Sequence, residues 1–273
     1  MGLFGKLFGK KECAFCGGEI GLLGNRKLED GNMCKECARK LSPWFSDRRN
    51  STVAEIQEQL DYREANREKV AAFRTTRTLG ENTKVLLDED AGIFMVTSAR
   101  NLEEANPDVL VFSDVTGCIL DINEDCTELM REDKEGNEVS YNPPRYTYEY
   151  DFYITIHVRN PYFDEIRFQL NSSSIEIEQT MGVRMGPRSP QVGGPGAGRM
   201  SGGVNPERNM EYRRYQEMGE EIKNTLLQIR EQTRDEVAAA AAPKAAVTCP
   251  YCGATTTPDA AGCCEYCGGA VSG

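Results

Sequence analysis

Histidine is nearly absent from this 273-residue chain: His157 is the one copy, so catalysis built on imidazole has almost nothing to draw on. Long apolar runs are missing too. No stretch approaches the roughly 18 consecutive apolar residues of a membrane-spanning helix. The opening MGLFGKLFGKK lacks the continuous apolar core of a secretory signal, which points to a cytoplasmic protein. Bases are outnumbered, 32 against 43 acids, for a formal charge of −11. Such a surface repels phosphate backbones unless its bases gather in one place. They gather in residues 1–50, with ten bases to six acids, which leaves −15 on residues 51–273. Nucleic-acid or anionic-membrane contact is thereby confined to the first stretch. Other signatures fail in detail. Gly193-Gly194 is not followed by the Lys-Ser/Thr of a phosphate loop, and the acids of 101–140 lack the order of a calcium loop. Lys6 stands where an acylation signal wants Ser or Thr. No Ser or Cys motif accompanies His157, which reads as a surface residue, and no catalytic residue is expected.

Cysteine is what the chain has: eleven copies, eight of them in Cys-x-x-Cys pairs. An odd total with paired spacing argues for reduced thiolates holding metal. Cys13 and Cys16 are followed, after 17 residues, by Cys34 and Cys37. Two such pairs can close a tetrahedron around zinc, and a four-thiolate shell is structural because no position is left for water. Gly17 after Cys16 suits a left-handed knuckle, whereas Cys34-Lys-Glu-Cys37 runs into a helical stretch. The second module pairs Cys249 and Cys252 with Cys264 and Cys267 across eleven residues, and glycine follows each pair. Two knuckles suit zinc or a rubredoxin-like iron, and Cys263 competes with Cys264 as the ligand. Two zinc ions per chain are expected. In modules this short, metal substitutes for a core that the chain cannot build. Cys118 and Cys126 have no pairing partner and are expected as small buried hydrophobes.

Patterning divides the rest. Residues 1–12 form a short amphipathic segment, 13–46 the first cysteine module, and 51–74 a helical connector opened by a Thr52-x-x-Glu55 capping box. From 79 to 178 the period is two, most clearly at 146–158, where Tyr146, Tyr148, Tyr150, Phe152, Ile154, Ile156 and Val158 share one face. A strand that long is expected to coil around a small antiparallel barrel. Ile166, Phe168 and Leu170 continue the alternation after a turn at Asn160-Pro161, and earlier strands fit 84–88, 92–97, 109–112 and 117–123. Residues 181–204 read as a flexible Gly/Pro loop. A helix over 205–238 starts at Asn205-Pro206 and carries a stripe of Tyr215, Met218, Ile222, Leu226 and Ile229. An Ala-rich tether (239–247) leads to the last module, 248–270. The fold class is α+β.

Three resemblances follow from these residues. Cys13-Ala-Phe-Cys16-Gly-Gly, Gly21-Leu-Leu-Gly24-Asn, Asp30-Gly31 and Cys34-Lys-Glu-Cys37-Ala resemble a bacterial zinc-finger family of unknown function, with the knuckle, hairpin and helix of a treble clef. Phe112-Ser-Asp-Val115-Thr-Gly-Cys118 and the hairpin at 146–170 resemble bacterial pleckstrin-homology-like domains, a curved sheet closed by a C-terminal helix. The basic lipid pocket of that family's eukaryotic relatives is replaced here by acids. The tail is similar to zinc ribbons appended to bacterial regulatory proteins. Together they imply a zinc-binding, non-enzymatic adaptor or regulatory protein with a protein partner. The rival is nucleic-acid binding through the basic finger, with Arg26, Lys27, Lys35, Arg39, Lys40, Arg48 and Arg49 on phosphates. Membrane contact through residues 1–12 would be weak and peripheral.

Overall fold

The computed structural model describes residues 11–21, 23–179, 204–241, 246–259 and 262–271. Expectations for residues 1–10 and for most of the 181–204 loop lie outside these. The chain divides into two compact units that part between Arg230 and Glu231.

The first unit begins with two short hairpins, β1 (Lys11–Glu12) with β2 (Glu19–Ile20) and β3 (Arg26–Lys27) with β4 (Asn32–Met33). One helical turn, α1 (Lys35–Ala38), follows. Helix α2 (Val53–Ala72) starts at the capping box: Thr52 Oγ1 accepts from Glu55 N, and Glu55 Oε2 accepts from Thr52 N at 2.8 Å. Its inward stripe is Ile56, Gln59, Arg63, Asn66 and Val70, at helical spacing but polar at its centre.

The middle of the chain forms two separate four-stranded sheets among the described residues, so no barrel closes. The first is an antiparallel meander of β5 (Arg77–Gly80), β6 (Lys84–Asp88), β7 (Ile93–Thr97) and β8 (Val109–Val111), with the helical turn α3 (Leu102–Ala105) before β8. The second is built on β10 (Glu138–Val158), which is longer than the alternation predicts. It pairs along its length with β9 (Val115–Glu132). β11 (Glu165–Gln169) and β12 (Ile175–Glu178) therefore share its other edge, opposite residues 153–157 and 147–150. The ladder breaks between Ser140 and Arg145, where Pro143 and Pro144 supply no N–H donors.

Helix α4 (Met210–Ala241) begins later than predicted. Asn205 caps a 3₁₀ turn over Pro206–Arg208, and Asn209 Oδ1 caps α4 by accepting from Glu211 N and Tyr212 N. Its far end runs into the alanines predicted as tether, because alanine is the strongest helix former. Within the first unit, Tyr212, Tyr215, Ile222 and Leu226 join Phe94, Phe152, Ile154 and Ile156 in the main core. Gly219 is where the helix meets β9 most closely: a Cβ there would lie 2.5 Å from Leu120 Cδ1.

The second unit carries the hairpin β13 (Val247–Thr248) with β14 (Thr255–Thr256), and an isolated bridge between Cys263 and Ala270. Among the described residues no helix is long and apolar enough to cross a membrane.

Candidate metal centres

The β1–β2 hairpin is a knuckle. Gly17 N donates to Cys13 O at 2.9 Å, and Gly17 takes the left-handed conformation (φ +67°) that lets two cysteines face one point. The β3–β4 hairpin then delivers Cys34 to the N-cap of α1, with Cys37 inside the turn. The four sulfurs of Cys13, Cys16, Cys34 and Cys37 lie within 4.8 Å of one another. Cys34 N and Cys37 N donate to the sulfurs of Cys13 and Cys34, each at 3.3 Å.

This finger has a core of its own. Cys13, Ile20, Leu28, Met33, Cys37 and Leu41 are buried together, and Ile56 of α2 closes the cluster. Gly31 permits the closure, since a Cβ there would lie 2.5 Å from Val53 Cγ2. Helix α2 thus completes a core that the finger's thirty residues begin. A buried polar chain continues the attachment. Arg63 Nη1 donates to Asp108 Oδ1 at 2.8 Å, Ser42 Oγ donates to Asp108 Oδ2 at 2.8 Å, and Arg63 Nε donates to Lys40 O at 3.2 Å. Asn66 Nδ2 donates to Asn106 Oδ1 and Pro107 O, and its own oxygen accepts from Val109 N. Finger, α2 and the start of β8 are tied by groups that hydrophobic patterning does not register. The regular spacing of Gln59, Arg63 and Asn66 is the signal that could have found them.

The second centre repeats one device twice. Gly253 N donates to Cys249 O and Gly268 N to Cys264 O, at 2.9 and 2.8 Å, with both glycines left-handed. The sulfurs of Cys249, Cys252, Cys264 and Cys267 again lie within 4.8 Å of one another. Cys264 belongs to this group and Cys263 does not; Cys263 N instead donates to Asp259 Oδ1 at 2.8 Å. Each knuckle carries an exposed tyrosine, Tyr251 or Tyr266.

Metal–sulfur bonds of about 2.3 Å in a tetrahedron set the sulfurs about 3.8 Å apart. The separations here are 3.8 Å for Cys16–Cys34, 3.6 Å for Cys249–Cys267 and 3.7 Å for Cys252–Cys264. Both groups therefore fit a metal ion such as zinc. Their thiols are unequal. Burial pushes Cys13 up, but hydrogen bonds from backbone amides, led by Cys34, bring it down to about 6. Burial and hydrogen bonds to Cys34, Cys16 and Cys13 hold the proton on Cys37. The Cys252 amide leads in lowering Cys249 to about 7. For Cys267 the Gly269 amide lowers the value, but bonds to Cys252 and Cys249 outweigh it and push it up to about 12. A metal entering either group displaces the protons that remain.

The other cysteines diverge. Cys118 is buried as predicted, and burial pushes its thiol up to about 12. Cys126 is exposed, contrary to expectation, because it lies in a stretch of β9, residues 123–127, that is exposed throughout. His157 sits opposite Gly117 and Glu165 on the face of β10 turned from the core.

Residues 11–59 match a domain of unknown function, DUF4428, which spans the finger and the first turns of α2. No curated protein and no solved structure matches the chain.

Proposed function

We propose that the chain is a zinc-binding, non-enzymatic adaptor or regulatory protein that acts through protein–protein contacts. The observation that carries this reading is the gathering of four sulfurs in each cysteine group within 4.8 Å of one another, a set that would fill a metal's tetrahedral shell and leave no position for water or substrate. The second unit supports it further. Between Val247 and Val271 it has acids but no lysine or arginine, and it exposes Tyr251 and Tyr266, a surface suited to proteins rather than phosphates. We read the two sheets capped by α4 as pleckstrin-homology-like; the meander, the hairpin sheet and the buried helix stripe support that assignment.

Affinity purification with the metal-loaded chain tests the proposal. Co-purification of a defined protein partner is the expected result, and turnover of a small molecule with no partner recovered would overturn it. One observation favours nucleic acid as the second reading: Arg48 is held below its usual value by burial first and then by Arg26 and Arg49, so three cations share one patch of the finger. Salt-sensitive retardation of DNA or RNA by the full chain, lost in an Arg48→Glu, Arg49→Glu variant, would establish it.

A further inference from the structure

The turn between β10 and β11 lies beside the segment leaving the finger, and an open groove of about 690 Å³ separates them. Its apolar walls are Pro43 and Trp44 on one side and Pro161 and Tyr162 on the other. Trp44 and Tyr162 are half-buried, each with its body against the main core and an edge in the groove.

Both walls are fixed before any ligand arrives. Trp44 N donates to Ser42 Oγ, which is itself bound to Asp108. The Tyr162 ring lies 5.1 Å from that of Tyr62, whose hydroxyl accepts from Asn160 Nδ2. Three carboxylates, Asp47, Asp164 and Glu165, stand around the groove. The nearby cation, Arg167, is already paired with Asp121 at 3.0 Å and stacked on Tyr153. The groove is therefore aromatic and proline-lined, rigid and anionic.

Aromatic-walled grooves suit polyproline segments, whose preformed extended helix loses little entropy on docking. Carboxylates around such a groove select a cation beside the prolines. We propose that this groove binds an extended, proline-rich segment of a partner protein that carries arginine or lysine next to its prolines. The inference rests on the reading that the chain works through protein contacts, and it names the chemistry of one such partner.

Trp44 is the chain's single tryptophan, so its emission reports the groove without a label. The probes are two pools of synthetic peptides with a fixed Pro-x-x-Pro centre, flanked by arginine in one and glutamate in the other, titrated into the metal-loaded full chain. The expected result is a saturable change in Trp44 emission with the arginine pool and about tenfold weaker binding of the glutamate pool. Tyr162→Ala should abolish the response. Asp164→Lys with Glu165→Lys, which changes exposed side chains only, should reverse the preference between pools. No response to either pool, or one that survives Tyr162→Ala, overturns the proposal. So does binding confined to a peptide of residues 183–191, which holds Arg184, Pro187, Arg188 and Pro190, since the occupant would then be this chain's own segment. A partner captured equally by wild type and by the lysine variant leaves the adaptor reading standing and removes the groove; recovery of no partner removes both.

Discussion

Asp108 is the residue on which the attachment of finger to sheet turns. Its side chain is 1% exposed, that of Arg63 is 6% exposed, and Ser42 completes the contact. Removing one member of such a pair strands the other charge in a dry site, at a cost of about 3–5 kcal/mol. Asp108→Ala should lower unfolding stability by that amount in urea titrations, while Arg63→Met with Asp108→Leu should recover most of it. Gln59 lies next to this chain on the same helix stripe, fully buried, with neither its amide nitrogen nor its oxygen hydrogen-bonded. Gln59→Leu removes two unsatisfied groups and should stabilise by about 1–2 kcal/mol. The two cysteines outside the modules on β9 give a chemical contrast. In the metal-loaded protein, iodoacetamide should modify exposed Cys126 and leave Cys118, whose thiol is buried and pushed up to about 12; mass spectrometry of tryptic peptides reads both.

Among the elements, α4 shows how packing overrides propensity. Glycine inside a helix costs about 1 kcal/mol relative to alanine, yet Gly219 sits mid-helix because Leu120 of β9 occupies the space of its side chain. Gly219→Ala should lower stability by about 1–2 kcal/mol in spite of better helix propensity, as thermal unfolding would reveal. What was legible in advance follows from where the signal lies. The capping box of α2, the alternation from Tyr146 to Val158 and the stripe on α4 are local, and each element forms there. The full β9–β10 hairpin was not legible, because Asn142-Pro143-Pro144 interrupts the alternation and the residues beyond it are polar. The division into two sheets was hidden for another reason: it depends on which distant strands pair, and period-two patterning reports faces, not neighbours. Spacing predicts two groups of four cysteines of unlike build but leaves Cys263 and Cys264 as rivals, and the structure gathers Cys264 with Cys249, Cys252 and Cys267 through its knuckle.

For the whole molecule, charge divides a basic finger from an acidic remainder, and each part carries one cysteine group. The basic finger is fixed to an acidic body through Asp108 and closed by Ile56, so a metal held by its four cysteines would support more than its own hairpins. Cys16→Ser should therefore lower the unfolding free energy reported by Trp44 emission in urea titrations by roughly 3 kcal/mol or more, since metal bound only by the folded state adds its binding free energy to folding. Whether both cysteine groups hold zinc is read by native mass spectrometry of the purified full chain, with elemental analysis of the same sample. Two zinc ions are expected in the wild type, one in Cys16→Ser with Cys37→Ser, one in Cys252→Ser with Cys267→Ser, and none when all four changes are combined; a metal-free wild type, or two ions retained by either variant, would rule zinc out of that assignment.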